Sequence, residues 1–109
     1  MNLTSLAARV AVLYGISGAA FAAGPVPAIP DKGRVCTACH AVDQARMGPS
    51  FQDVAARYRK DKGAEARLTQ KVLKGGGGVW NMPMGPMPAQ AQLKEAEARD
   101  LVKWILALR

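Results

Sequence analysis

Apolar residues recur at helical spacing in three stretches of the chain. Phe51, Val54, Ala55 and Tyr58 fall at i, i+3, i+4 and i+7, which predicts a helix from Phe51 to about Lys60 with Arg57, Arg59 and Lys60 off its apolar face. Gly48-Pro49 marks a turn before it, and Ser50 stands where a side-chain oxygen can cap its first turn. Lys62-Gly63 breaks the pattern. Ala64, Leu68 and Val72, with Leu73 beside them, then predict a helix from Ala64 to Lys74. Lys71 and Lys74 suit the negative end of its dipole, and Gly75 can end it in a left-handed conformation. A last stripe of Ala98, Leu101, Val102, Ile105 and Leu108, adjoined by Trp104, predicts a helix from about Glu95 to Leu108. Glu95 with Arg99, and Asp100 with Lys103, are spaced for ion pairs along it. Lys94 stands at its N-cap, where the missing oxygen acceptor costs about 1 kcal/mol and predicts fraying.

The remaining segments are irregular. Residues 23–30 hold three prolines, which exclude a helix and predict an extended leader. Asp31 is placed to cap a short first helix that carries Cys36 to His40. Four consecutive glycines, Gly75 to Gly78, lead into Val79-Trp80-Asn81-Met82-Pro83-Met84-Gly85-Pro86-Met87-Pro88. Three methionines and three prolines in ten residues make a stiff loop rich in thioethers. No strand and no internal repeat is evident, so the expected class is all-α, with about four helices.

The N-terminus changes the picture of what the mature chain contains. Arg9 is followed by an apolar run from Val10 to Ala20 and then by Ala20-Phe21-Ala22, the pattern of a secretory signal peptide cleaved between Ala22 and Ala23. The run is short for a membrane span of about 20 residues, so an uncleaved anchor is the weaker alternative. The chain then divides into a signal peptide at 1–22 and one domain at 23–109, exported to the periplasm. Losing Arg9 from the 15 basic residues leaves 14 against 8 acidic ones, a net charge of +6. No nucleic-acid motif accompanies this charge, and the compartment argues against such a partner; an acidic docking face on another protein is the better use.

The chemistry is concentrated in Cys36-Thr37-Ala38-Cys39-His40, a C-x-x-C-H sequence. Two thiols three residues apart on a nascent helix can each add to a vinyl group of one porphyrin, and His40 then lies beneath the ring with an imidazole nitrogen for iron. A redox C-x-x-C would follow a strand in a βαβ unit, whereas a Pro/Gly-rich segment precedes Cys36. Structural zinc takes four ligands, and the chain offers two cysteines and one histidine. The loop methionines are the natural source of a second axial ligand, although methionine elsewhere mostly fills core gaps. A domain with so few large apolar side chains is marginal without a cofactor in its core, which predicts a largely unfolded haem-free form.

With these residues placed, the chain resembles the small bacterial class I c-type cytochromes of the c551/c552 group. The likeness rests on Cys36-Thr37-Ala38-Cys39-His40-Ala41, Met47-Gly48-Pro49-Ser50-Phe51-Gln52-Asp53-Val54-Ala55, Gly78-Val79-Trp80 with Pro86-Met87-Pro88, and Leu101-Val102-Lys103-Trp104-Ile105-Leu106. It implies helices wrapped around one haem c bound through Cys36 and Cys39. His40 would be the proximal ligand, oriented by a hydrogen bond to the Pro49 carbonyl, and Met87 the distal one. Trp80 and Lys71 would lie near a haem propionate, and Gln90 near the methionine sulfur. The loop spacing departs from the family's; the count back from Trp104 and the Pro-Met-Pro context favour Met87, with Met84 and Met82 as alternatives.

The implied function is a monomeric one-electron carrier, with no catalytic residues, passing electrons through an exposed haem edge. Its partners would be an oxidase, a nitrite reductase or a dehydrogenase with acidic docking faces, with no stable membrane insertion. The alternative is a haem-based sensor or peroxidase-like enzyme whose methionine ligand can be displaced. A dithiol oxidoreductase without haem is a third reading.

Overall fold

The computed structural model describes Gly15 and residues 26–109. Apart from Gly15, the signal segment read at 1–22 lies outside the described residues. Four helices follow in order: a 3₁₀ helix at Asp31–Ala38, α1 at Phe51–Tyr58, α2 at Ala64–Lys74 and α3 at Glu95–Leu106. The described residues contain no strand; an isolated antiparallel bridge joins Gly76 to Met87.

α3 is the element on which the others rest, packing against α2, α1 and the 3₁₀ helix. Its stripe of Ala98, Leu101, Val102 and Ile105 is buried, and Leu108 just beyond the helix joins it. This segment is the centre of the core because it has an apolar face long enough to meet three neighbours. Phe51 and Ala55 of α1 and Val72 of α2 complete the cluster. The 3₁₀ helix comes close because Gly33 has no side chain; a Cβ there would stand 2.5 Å from Leu101 Cδ1. The leader follows the same surface, where Trp104 Nε1 donates to the Pro27 carbonyl at 3.0 Å and Ile29 packs on the core.

The helix ends show both what local chemistry dictates and where it is overridden. Ser50 Oγ accepts the Asp53 N–H at 3.0 Å, the expected cap of α1. That helix stops at Tyr58 rather than Lys60. Gly75 closes α2 at φ 67°, with its N–H on the Lys71 carbonyl. Two expectations need correction. Asp31 is the first residue of the N-terminal helix, Pro30 stands at its cap, and this 3₁₀ helix ends at Ala38, before Cys39 and His40. At Lys94 the lost oxygen acceptor is offset in another way: the Glu97 carboxylate accepts the N-cap N–H of Lys94 itself at 3.0 Å, the reciprocal half of a capping box. α3 ends at Leu106, two residues early. Arg99 pairs with Glu95 at 3.1 Å, while no ion pair joins Asp100 to Lys103 among the described residues. Thr69, outside the predicted apolar stripe of α2, is fully buried and satisfied by donating to the Glu65 carbonyl at 2.7 Å.

Candidate functional site

Between the 3₁₀ helix and the methionine loop the fold leaves an apolar cleft of about 340 Å³. Cys36, Cys39 and His40 line it with Pro49, and Met82, Met84 and Met87 line it from the loop. Leu101, Val102 and Ile105 of α3 also reach it, so the core stripe doubles as a cleft wall.

The cysteine side is held by backbone bonds. Cys39 and His40 both donate to the Cys36 carbonyl, at 3.1 and 2.9 Å, so the three residues share one tight turn. The two thiols are unbonded to each other. Burial pushes the Cys36 thiol above its ordinary range; its own backbone hydrogen bond opposes this, and the nearby Cys39 adds to it. His40 Nδ1 lies 2.7 Å from the Pro49 carbonyl. A carbonyl can only accept, so Nδ1 carries the proton and Nε2 keeps its lone pair for a metal. The imidazole stacks on Phe51 at 5.2 Å between centroids, and Phe51 meets Trp104 edge-on at 5.6 Å. Gly48 also packs against the imidazole; a Cβ there would stand 2.3 Å from His40 Cε1.

The loop side is anchored at one methionine. Gly76 N–H donates to the Met87 carbonyl at 2.9 Å, and Met87 N–H donates back to Gly76 at 3.2 Å. Met87 is half-buried and packs against the core, whereas Met84 is 68% exposed. Gly75 makes this approach possible: a Cβ on it would meet the Met87 carbonyl oxygen at 2.5 Å and the Ala89 nitrogen at 2.6 Å.

Trp80 and Lys71 also line the cleft. The Lys71 ammonium donates to the Gly77 carbonyl, and the Arg57 guanidinium lies 5.5 Å from the Trp80 ring centroid and 5.9 Å from that of Tyr58. Gln90 is the one predicted site residue that the structure does not bring to the cleft. Its backbone N–H is used by the Val72 carbonyl, and its side-chain amide bonds the Pro88 carbonyl and Gln92. Sequence reasoning took Gly48 only as a turn residue, and its packing against His40 was missed; the pairing of Gly76, within the glycine run before the loop, with Met87 was not foreseen either.

The donor set fits a haem. Two free thiols three residues apart offer two thioether bonds. The protonated Nδ1 leaves one imidazole nitrogen for iron, and a buried apolar cleft suits a flat ring. An all-α fold built around such a cleft defines a c-type cytochrome.

Comparison with known proteins agrees. The family model for cytochrome c matches residues 32–109, and the chain belongs to that family. It is 48% identical over 73 residues to cytochrome c-551 of Allochromatium vinosum, covering 67% of this chain and 76% of that one. With cytochrome c-551 of Pseudomonas aeruginosa it shares 43% over 81 residues, covering 74% and 75%. The crystal structure of Nitrosomonas europaea cytochrome c552 superposes with a TM-score of 0.67 at 36% identity, covering 72% of this chain and 98% of that one. The chain is a monohaem electron-transfer cytochrome with covalently bound haem c.

Proposed function

We propose that this cytochrome is a periplasmic one-electron carrier whose iron is held between His40 and Met87. The observation that carries the reading is the pair of backbone hydrogen bonds between Met87 and Gly76, which anchors the Met87 main chain beside the cleft while Met84 is exposed. When bound, the haem supplies a one-electron Fe(III)/Fe(II) couple whose potential a thioether ligand raises. The protein's part is to keep the ligand set unchanged between the two states. Pro49 holds the proton at His40 Nδ1, and Phe51 and Gly48 both pack against the ring. Leu101, Val102 and Ile105 exclude water from the cleft. Lys71 and Trp80 bring polar groups to the wall where ring carboxylates can be received.

Export rests on the signal pattern at residues 1–22, and among the described residues no helix is long and apolar enough to cross a membrane. The net charge of +6 after cleavage favours acidic redox partners, an oxidase, a nitrite reductase or a dehydrogenase. A redox titration of the holoprotein is expected to follow a single one-electron Nernst curve, and the ferrous protein is expected to keep its spectrum under carbon monoxide. Rapid carbon monoxide binding would contradict the fixed ligand set and point to a sensor or peroxidase-like enzyme.

A further inference from the structure

The methionine loop makes few bonds of its own. Gly76 pairs with Met87, and the Met82 carbonyl accepts the Gly85 N–H. Between them, Gly77 to Asn81 take part in no backbone–backbone hydrogen bond among the described residues. Gly77 and Gly78 add backbone freedom with no side chain to pack. Two cations reach this segment from the helices. The Lys71 ammonium of α2 donates to the Gly77 carbonyl. The Arg57 guanidinium, in the last turn of α1, lies 5.5 Å from the ring centroid of Trp80, further along the segment.

Arg57 is shared between two elements. Its Cζ also stands 5.9 Å from the ring centroid of Tyr58, on α1 itself, and both aromatic rings line the cleft. Each distance is within the reach of about 6 Å over which a ring face attracts a cation, and indole is the strongest such partner. A planar guanidinium can stack on an indole and offer its charge at once, which an ammonium cannot. No carboxylate pairs with Arg57 among the described residues, so its charge is not engaged elsewhere. The contact is exposed and singly weak, but the segment it holds has no backbone bonds beside it.

Resting on the carrier reading above, in which Met87 keeps its place in both oxidation states, we infer that Arg57 is a positioning residue of this site. Its guanidinium bridges Tyr58 and Trp80, holds the outer end of the methionine loop on α1 and keeps the cleft closed to small molecules. Displacement of Met87 by an outside ligand then requires this contact to open. How often it opens is set by a side chain that does not itself line the cleft.

The test follows imidazole binding to the ferric holoprotein by stopped flow at saturating imidazole, read as loss of the sulfur-to-iron band. Arg57→Gln is expected to speed this loss roughly two- to fivefold, the range an exposed cation–π contact is worth. Arg57→Lys keeps the charge without the planar stack and should recover only part of the wild-type rate. Lys60→Gln removes an equal, exposed charge just beyond α1 and should change nothing. In a Trp80→Leu background, adding Arg57→Gln should have no further effect, which isolates the pair as a double-mutant cycle. A wild-type rate in Arg57→Gln would overturn the inference. So would full recovery in Arg57→Lys or an equal response in Lys60→Gln, either of which would mean charge alone. An undiminished Arg57→Gln effect without the indole would overturn it as well. The comparison of Arg57→Gln with Arg57→Lys and Lys60→Gln decides the matter even where Trp80→Leu fails to keep its haem. A wild type that lacks the band before imidazole is added would contradict the carrier reading itself.

Discussion

The two walls of the cleft hold their ligands by different means. On the cysteine side, Cys36 to Ser50 is tied down residue by residue. His40 and Cys39 bond to Cys36, Gly48 bonds back to Cys39, and Phe51 and Gln52 bond to Ala41 and Val42. On the methionine side, the backbone from Gly76 to Pro88 makes one bridge, at Gly76 and Met87, and one internal turn bond, Gly85 to the Met82 carbonyl at 3.2 Å, while the side chains of Lys71 and Gln90 reach the Gly77 and Pro88 carbonyls. The first wall is tied mainly by its own backbone at several points; the second by one bridge and by side chains from outside the loop. The difference matches the chemistry. In the ligation proposed, two covalent bonds and an axial imidazole would demand three side chains in fixed register, whereas a single thioether would need one fixed backbone position.

Substitutions that strike each wall separately should break this contrast in different ways. The largest effect is expected from Cys36→Ala/Cys39→Ala, which removes both thioether bonds. Haem should no longer stay with the chain on a denaturing gel, and far-UV circular dichroism should show most of the helicity lost, because the cleft walls are the core. Full helicity without haem would contradict the view that the cofactor completes the core. Next comes Gly75→Ala, which sets a Cβ against backbone atoms of Met87 and Ala89 at φ 67°. Strain and overpacking together are expected to cost about 2–4 kcal/mol, read as a lower midpoint in guanidinium and a weakened sulfur-to-iron band. Gly85→Ala is the control on the same loop: its φ is also positive, but nothing lies within 4 Å of the new Cβ, so the band should survive.

On the other wall, Gly48→Ala drives a Cβ into the His40 ring and is expected to cost about 1–3 kcal/mol. Because Pro49 and Phe51 still fix the imidazole, the loss should appear in stability and not in the methionine band. The smallest effect is Ser50→Ala, which deletes the cap of α1 and should lower the unfolding free energy by about 1 kcal/mol. If Gly48→Ala altered the band more than Gly75→Ala, the division of labour between the walls would be wrong.

How much of this was legible in the sequence follows the same division. The three α-helices could be read because each carries its own periodic apolar face, and Ser50 and Gly75 are local signals that act where they stand. The cysteine wall was readable for a related reason: Cys36, Cys39 and His40 lie within one turn, so spacing along the chain is spacing in space. On the methionine wall the Pro-Met-Pro context pointed to Met87, but its bridge to Gly76, eleven positions earlier, was not readable, since no local pattern encodes that contact. Gln90 was placed by position alone; its amide bonds the Pro88 carbonyl and Gln92 beside it, and the cleft lining does not include it. At Lys94 the missing cap was visible and its offset was not, because the Glu97 carboxylate that accepts the Lys94 N–H comes from inside the helix. The tie from Trp104 to Pro27 spans most of the folded chain and left no trace in either segment.

The central claim is that His40 and Met87 hold the iron between them. The visible spectrum of the oxidised holoprotein, purified from a host that matures c-type haem, tests it most directly. A weak sulfur-to-iron charge-transfer band at the red end is expected in the wild type and in Met84→Ala, and is expected to vanish in Met87→Ala. A band that survives Met87→Ala and disappears in Met84→Ala or Met82→Ala would contradict the assignment, and a wild-type haem spectrum without the band would contradict methionine ligation altogether.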